Sequence, residues 1–434
     1  MAKNSIRDFS ATAASNTDIQ SVDIDENCAA SGINNAIREL MADLADVNAG
    51  TVAMTSPSAD SLSTDTISEK TSGSGVTIDS VLLKDGALGS IASAVAAHLT
   101  SINGGQIGGN RNLIINGDMR IAARGASAVA AGAGTYPSID RLKCYESTDG
   151  AFTLEQSTTV PSGQGFSNSA KFVVTTADTS LAAGQYAQAT QVIEAQNLQH
   201  LSYGTSSAKT LSLSFWCRSS KTGTYCITIV KEDSTATHYV KEFSISSADT
   251  WEKKTITIEP DSNITASAGA IANDNGAGLY VYWNFAQGST YTGATDDAWS
   301  TNTNHFATTN QVNWMDSTSN NFYLTGVQLE VGSTVTDFEH TSIADEEARC
   351  MRYFYKMSAN SNTYAAQYQA GYRMAFVWHP VAMRATPTPT GTYSPSSGWS
   401  DYQTDRFHYK SYIALAYNSH DNAFISNMTF DAEL

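Results

Sequence analysis

The sequence is poor in charge. Asp, Glu, Lys and Arg make up 15% of its 434 residues, whereas about a quarter is usual. The charges are also unbalanced, with 25 basic against 42 acidic residues and a formal net charge of −17. Nucleic-acid binders concentrate Lys and Arg because those side chains displace counterions from the phosphate backbone. We therefore expect no nucleic-acid partner.

Paired cysteines and closely spaced metal ligands are missing as well. The chain has five Cys, an odd number without a Cys-x-x-Cys pair, and eight His that lie far apart. Disulfide frameworks and zinc sites need such residues at short, regular spacing. We expect free, buried thiols, no metal site and no cofactor.

Long apolar runs are also missing from the sequence. No stretch approaches the roughly eighteen apolar residues of a membrane-spanning helix. The polar start Met1–Ser5 is not followed by the apolar core of a signal peptide. We expect a protein made in the cytoplasm, without a signal peptide or membrane insertion.

No residue spacing matches a phosphate loop, a nucleophile elbow or a zinc helix. The glycine-rich stretch Gly104–Gly109 lacks the Lys-Ser/Thr end of a phosphate loop and is typical of a hinge. Two acidic doublets stand out, Asp296–Asp297 and Glu346–Glu347. A glycosidase needs two facing carboxylates, and neighbours along a strand point to opposite faces. We expect no enzyme, although a pair formed by distant residues would not show in the sequence.

The chain is instead rich in small polar residues and aromatics, with twenty Tyr and fifteen Phe. In Leu211–Cys217 every second residue is apolar, which predicts a half-buried strand. Gly326 shifts the alternation of its own strand, as a β-bulge does. Many short strands between turn residues predict a jelly-roll-like β-sandwich over residues 111–340. Further predicted strands are Tyr225–Val230, Thr255–Ile258, Leu279–Phe285 and Phe322–Leu329.

A short helix is predicted over residues 31–47. Its apolar residues fall at alternating spacings of four and three, the heptad pattern of a coiled-coil seam. Two heptads are few, so a helix packed on its own domain and a seam between three chains both stay open. The seam residues would be Ile33, Ile37, Leu40, Leu44 and Val47.

The next segment is predicted to be a shaft. Residues 51–75 are rich in Ser and Thr and favour a linker. Val76–Gly86 alternates as a strand up to an Asp-Gly turn, and it needs partner chains to cover Val81 and Leu83. The Ala-rich residues 87–99 are expected to continue as a helix. The predicted parts are an N-terminal segment with a short helix (1–50), a linker and shaft whose strand needs partner chains (51–110), the sandwich (111–340) and a small C-terminal β domain (341–434).

Aromatic residues flanked by polar ones are candidate receptor contacts. Sugars present apolar ring faces with polar rims, which suits exposed Trp and Tyr beside Asp, Asn and Gln. A domain of under a hundred residues also needs some of these rings in its core. The candidates are Trp299, Trp378, Trp399, Tyr402, Phe407 and Tyr409.

Two phrases far apart in the chain resemble the paired edges of one module of phage tail fibres. They are Asn112–Gly117 (Asn-Leu-Ile-Ile-Asn-Gly) and Val327–Gly332 (Val-Gln-Leu-Glu-Val-Gly), the second followed by Phe338–Glu339. Other short phrases are similar to ones in the same family and occur in the same order: Gly32–Arg38, Ile78–Asp85, Glu346-x-x-x-Cys350-x-Arg352-Tyr353, and Met383–Pro389.

The resemblance implies a homotrimeric virion protein of the tail fibre. Its N-terminus would join a tail tube, adaptor or nozzle protein, and its C-terminal domains would meet a host glycan or outer-membrane protein. Several weak sites acting together would then hold the particle. Residues 1–110 contain thirteen acidic and five basic residues, which suits either a basic docking partner or simple solubility. A tailspike-type polysaccharide depolymerase and a purely structural tail or decoration protein stay open as alternatives.

Overall fold

A computed structural model of the protein shows a mainly β chain, as predicted. It describes residues 8–10, 12–25, 27–49, 76–78, 81–84, 87–90, 110–358, 361–369, 371–414 and 423–434. The chain divides into two units, residues 1–97 and 98–434. The predicted linker 51–75 and the hinge Gly104–Gly109 lie outside the described residues.

Helix α1 (Ala30–Asn48) dominates the described part of the first unit. It contacts the hairpin of β1 (Asp18–Ile19) and β2 (Val22–Asp23). Ala36 and Asp43 are its buried positions, and Gln20 Nε2 donates to Asp43 Oδ1 at 2.7 Å. A helix turns about 100° per residue, so the apolar stripe of the predicted seam lies beside this contact rather than in it.

The same unit contains a three-stranded antiparallel sheet, β3 (Val76–Ile78), β4 (Val81–Lys84) and β5 (Ala87–Ser90). The strand predicted over residues 76–86 is therefore divided into two strands that pair with each other. The helix predicted from residue 87 is wrong at Ala87–Ser90, which pairs with β4. Pairing with a neighbouring strand overrides the helix propensity of alanine here.

The second unit begins with a β-sandwich of two six-stranded antiparallel sheets. Its strands are β6 (Val129–Ala130), β7 (Lys143–Glu146), β8 (Ala151–Ser157), β9 (Ser169–Thr176), β10 (Tyr186–Glu194), β11 (Leu211–Ser219), β12 (Gly223–Lys231), β13 (Thr237–Ile245), β14 (Glu252–Ile258), β15 (Ala277–Gln287), β16 (Ala298–Ser300) and β17 (Asn321–Val331), with a one-turn helix α2 (Ser262–Thr265). The first sheet has the order β16-β13-β12-β15-β10-β7 and the second β14-β11-β17-β9-β8-β6.

A single aromatic-rich core lies between the two sheets. The Phe285 ring of the first sheet lies 5.9 Å from that of Phe152 and 5.1 Å from that of Phe322, both in the second sheet. Leu211–Cys217 buries its alternate apolar residues, as predicted, but Ser212 and Ser214 on its other face are also buried, so the strand is not half-buried. Burial of each such side chain stabilises the fold by about 1.5–3 kcal/mol. All five thiols are unpaired, and four of them are buried.

The predicted bulge at Gly326 is confirmed. Ser214 stands opposite Gln328 and Trp216 opposite Thr325, so β17 contains one extra residue between these pairs. Gly326 has a φ of +61°, and a Cβ there would lie 2.6 Å from the Phe166 ring. Glycine is needed at this position for both reasons.

The two phrases at the edges of the sandwich are in direct contact. Asn112 Nδ2 donates to Val327 O at 2.9 Å, and Asn112 Oδ1 accepts from Leu329 N at 3.1 Å. A Cβ on Gly117 would lie 2.2 Å from Val327 O, so a side chain cannot fit between the phrases. Glu339, beyond the second phrase, accepts from Asn112 N at 2.8 Å. Residues about two hundred positions apart in the sequence are thus joined directly by hydrogen bonds.

A smaller terminal domain follows the sandwich. It contains α3 (Ile343–Met351), β18 (Phe354–Lys356), β19 (Asn362–Tyr364), β20 (Ala366–Gln369), β21 (Tyr372–Trp378), β22 (Thr388–Ser394), β23 (Trp399–Thr404), β24 (His408–Ala414) and β25 (Phe424–Asp431). One sheet has the order β18-β25-β19 with β22 also paired to β25, and the other β20-β21-β24-β23. A second core, which includes Val377, Ile413 and Phe430, belongs to both sheets.

The terminal domain is hydrogen-bonded to the sandwich through the element Glu346-x-x-x-Cys350-x-Arg352-Tyr353. The Glu346 carboxylate accepts from Asn116 N of the first phrase. Arg352 donates from Nε and Nη2 to the two oxygens of buried Glu194, each at 2.8 Å. Such a two-pronged contact fixes orientation as well as distance, so the sandwich and the terminal domain hold a defined arrangement.

Candidate functional site

Three of the six predicted receptor contacts present most of their side chain to solvent. Trp378 is 68% exposed, Tyr402 55% and Phe407 57%. Trp399 is half-buried: its indole N–H donates to Pro395 O at 3.0 Å and its ring packs on Tyr393. These four residues all belong to the terminal domain, and their role as receptor contacts stays a prediction.

Tyr409 and Trp299 are core residues, so the prediction that they touch a receptor is corrected. Tyr409 is fully buried, and its hydroxyl donates to Asp401 Oδ1 at 2.5 Å. Trp299 is 8% exposed, and its Nε1 donates to Glu259 O at 2.8 Å. The sequence pattern marked them by their polar neighbours, but adjacent residues of a strand face opposite sides.

The outer side of the sheet β20-β21-β24-β23 exposes a row of aromatic side chains. Along β21 the residues Tyr372–Trp378 alternate between this side and the core position of Val377. At about 3.3 Å per residue the row is roughly 20 Å long. Residues of β24 stand directly opposite, with His408 paired to Trp378. We call this set the terminal aromatic face: Tyr372, Met374, Phe376, Trp378, Tyr402, His408, Lys410 and Tyr412.

The rings of the face support one another. The Phe376 centroid lies 4.7 Å from that of Trp378 and 5.2 Å from that of His408. The Tyr372 and Tyr412 rings are 5.6 Å apart. Because these contacts restrict the rings before any ligand arrives, less conformational entropy is lost on binding.

Polar groups border the rings. Lys410 Nζ lies 5.3 Å from the Phe376 centroid and donates to Gln403 Oε1 at 3.0 Å. Burial acts to raise the pKa of Asp405, but the backbone N–H groups of Phe407 and His408 outweigh it and hold that pKa below its usual range. Flat rings with donors and acceptors at their rim are what a sugar ring requires.

Sequence reasoning missed several members of the face, including Tyr372, Phe376 and Tyr412. Their signal was present: every second residue from Tyr372 to Trp378 is large and apolar or aromatic. The candidates were instead chosen as aromatic residues flanked by polar ones, although period-two spacing is what places side chains on one side of a strand.

Metal and membrane features are not seen in the described part of the chain. No group of three or more His, Cys, Asp or Glu there could hold a metal ion. None of its helices has the length and apolar character needed to cross a membrane.

Comparison with solved structures finds partial likenesses. A putative sugar-binding protein of Bacteroides thetaiotaomicron covers 51% of this chain and 99% of its own, at 12% identity and a TM-score of 0.28. A family 22 carbohydrate-binding module of Clostridium thermocellum covers 52% and 98%, at 13% identity and a TM-score of 0.27. The enzymatically active domain of tailspike protein 4 of bacteriophage CBA120 covers 51% of this chain, at 14% identity and a TM-score of 0.27.

The matched region spans only 21% of that tailspike chain. A search with models of protein families found no match, and neither did a search of curated proteins. The function of the chain must therefore be inferred from the side chains described above.

Proposed function

We propose that the protein is a phage tail fibre that attaches the particle to a glycan on the host surface through the terminal aromatic face. The exposure of this face carries the proposal. Tyr and Trp are buried to a large extent on average, and here Tyr372, Trp378 and Tyr402 are exposed on one side of a sheet, with Phe376 partly exposed in the same row. The fibre-type phrases, which occur in the expected order along the chain, support the assignment to a tail fibre.

Binding rather than hydrolysis is the expected activity of the face. Asp405, the carboxylate at its rim, lies 3.1 Å from His408 Nδ1 and accepts from two backbone N–H groups. A glycosidase needs one carboxyl group that can protonate the leaving oxygen and a second opposite it. The eight residues of the face contain no Asp or Glu.

Trimer formation is part of the proposal. Ile33, Ile37 and Leu44 of α1 are about half exposed, and Leu40 is partly buried. An apolar stripe left open at heptad spacing favours partner helices. The side chains of the other predicted seam residues, Val47, Val81 and Leu83, lie outside what the structure describes. The N-terminal partner would be a tail tube, adaptor or nozzle protein, and the location the virion.

Attachment is tested by incubating the purified full chain with a panel of bacterial cells and with their isolated surface polysaccharides. We expect retention on susceptible cells with unchanged polymer length. Trp378→Ala should reduce retention at least about tenfold, since a central aromatic contact contributes about 2 kcal/mol or more. Tyr364→Ala is the matched control, because Tyr364 is 59% exposed but lies outside the face.

Each other result would replace the proposal. A shortened polymer would show a depolymerase. A lack of retention on every strain would favour a structural tail protein. Retention that survives Trp378→Ala and Phe376→Ala together would remove the terminal aromatic face as the binding surface.

The trimer is tested by light scattering on the full chain. We expect a mass three times that of the 46.3 kDa chain. Ile37→Asp should shift the mass towards monomer, because a charge in an apolar seam is desolvated without a partner. Glu39→Gln, on the same helix but off the heptad stripe, is the control. A wild-type monomer would contradict the trimer.

A further inference from the structure

The sandwich has a cleft of its own, separate from the terminal aromatic face. It lies on the outer side of the first sheet, over β7, β10 and β15. The segment 288–312, which includes the edge strand β16, folds back across the neighbouring strands of the sheet, where Ala307 packs against Cys226 and Val240. The part of the sheet left uncovered forms a cavity of about 220 Å³, which we call the tyrosine cleft.

Five aromatic rings line the tyrosine cleft: Tyr145, Tyr186, Tyr282, Tyr291 and Phe306. The Tyr291 ring meets that of Tyr186 edge-on at 5.5 Å, and the Phe306 ring meets that of Tyr282 edge-on at 5.3 Å. The segment 288–312 therefore contributes one wall and the sheet the other. Mutually packed rings give the cleft a fixed apolar surface that suits the face of a sugar ring.

Three side-chain amides at the cleft, those of Asn284, Gln287 and Gln188, are hydrogen-bonded in series, which determines their orientations. Asn284 Nδ2 donates to Cys226 O at 3.1 Å and to Phe306 O at 2.8 Å. A carbonyl oxygen can only accept, so these contacts fix the orientation of the Asn284 amide. Its Oδ1 must then accept, and Gln287 Nε2 donates to it at 2.8 Å. The second hydrogen of Gln287 Nε2 goes to Gln188 Oε1 at 2.7 Å.

This order leaves Gln287 Oε1 without a donor. Gln287 is 7% exposed, and that oxygen is buried out of reach of solvent. Gln287 instead orients Gln188, which also lines the cleft: because the Gln188 oxygen accepts from Gln287, its amide hydrogens are left to donate to a ligand. An N–H donor among aromatic rings suits a sugar, whose oxygens can accept.

None of the seven residues that line the cleft is acidic or basic, and Lys143 Nζ lies 5.2 Å from the centroid of the Tyr145 ring. Burial raises the pKa of Tyr282 above its usual range. It also raises the pKa of Tyr280, whose ring stacks on that of Tyr282 at 5.7 Å, to about 12. These two phenols therefore stay protonated at neutral pH. A charged ligand group would lose its water here without a charged lining residue to pair with.

We propose that the tyrosine cleft binds an uncharged pyranose unit of a glycan, with the sugar ring against the tyrosines and a sugar oxygen accepting from the Gln188 amide, which Gln287 orients. The cavity is smaller than the roughly 300 Å³ at the low end of sites for drug-sized ligands. It therefore takes one sugar unit or a chain end. This site is independent of the terminal aromatic face and would give each chain two separate contacts with a glycan.

The experiment is saturation-transfer NMR on the full chain with the methyl glycosides of glucose, galactose, mannose and N-acetylglucosamine, and with methyl glucuronide as a charged counterpart. We expect transfer to at least one neutral glycoside. Gln287→Leu should weaken its binding about fivefold, and Tyr291→Ala about tenfold. Tyr364→Ala should leave it unchanged, and Trp378→Ala serves to detect any binding at the terminal aromatic face.

Four results would overturn the proposal. They are absence of transfer to all four neutral glycosides, tighter binding of the glucuronide, binding unchanged in both cleft variants, and loss of binding in Trp378→Ala alone. The last would place the sugar on the terminal aromatic face. If Gln287→Leu does not fold, Tyr291→Ala decides, because Tyr291 belongs to the covering segment rather than the sheet.

Discussion

The sandwich and the terminal domain both carry aromatic rings on the outer side of a sheet, but among the described residues only the sandwich has a segment folded against those rings. In the sandwich, the segment 288–312 and the rings of the sheet together form the walls of a cavity of about 220 Å³. The terminal rings stay flat and open, with Trp378 68% exposed. The same period-two pattern of aromatics therefore gives two kinds of surface.

The difference affects what each surface can select. A cleft with aromatic walls and an oriented amide discriminates between ligands, because a ligand that lacks the right sugar oxygen leaves the amide unpaired. An open row of rings offers area with less discrimination. Both sites belong to the same chain. Binding of a glycan at one of them can therefore raise its effective concentration at the other.

The largest expected effect is on the free energy of unfolding, when a side chain between the two sheets is compared with one on the outer side of a sheet. Phe285→Ala should lower the free energy of unfolding by about 3–5 kcal/mol, because it leaves a cavity between the two sheets of the sandwich. Phe376→Ala, on the open terminal aromatic face, should change it by less than about 1 kcal/mol. Urea unfolding followed by fluorescence measures both. Equal losses would mean that the terminal face is covered in solution.

A smaller effect concerns the contact between the two domains. Burial raises the pKa of Asp140 to about 6, against the opposing effect of Arg124, which also pairs with Asp431 and Glu433 of the terminal domain. A raised pKa means that the stabilising contribution is present below about pH 4 and is lost as pH rises through 6.

Asp140→Asn tests this pH dependence. Relative to the variant, the wild type should lose up to about 3 kcal/mol of stability between pH 4 and pH 7. Urea midpoints at the two pH values give the comparison. Parallel curves for the two proteins would show that the carboxyl group is ionised throughout.

The smallest expected effect comes from the Glu194–Arg352 pair. Glu194→Gln should destabilise the contact of the two domains by about 2 kcal/mol, less than for a fully buried pair because Arg352 is partly exposed. Calorimetry should then show separate transitions for the sandwich and the terminal domain. Asp249→Asn, which breaks the more exposed pair with Arg218, should change stability by no more than about 0.5 kcal/mol. A single unchanged transition in Glu194→Gln would mean that other contacts hold the domains together.

Much of the fold was predictable because it depends on local rules. The alternation at Leu211–Cys217 and the bulge at Gly326 follow from side-chain direction and from the absence of a Cβ. Helix α1 follows from heptad spacing. The strand at Ala87–Ser90 was missed, since alanine is compatible with either structure and only pairing with β4 decides between them.

The candidate surfaces were predictable only in part. Trp378 and Tyr402 are exposed as expected, whereas Tyr409 and Trp299 are buried. Their sequence surroundings look alike, and burial depends on which side of a strand meets a core. The tyrosine cleft was missed entirely, because its residues come from three strands and a covering segment spread over more than 150 positions.

The sequence by itself determined that the chain is mainly β, acidic and rich in aromatics, since composition and period-two spacing act within a few residues. Tertiary structure decided which rings face water, which amide oxygen lacks a donor, and that Asn112 meets Val327. These depend on contacts between residues far apart in the chain, and such contacts form only when the sheets pack and the segment 288–312 covers one of them.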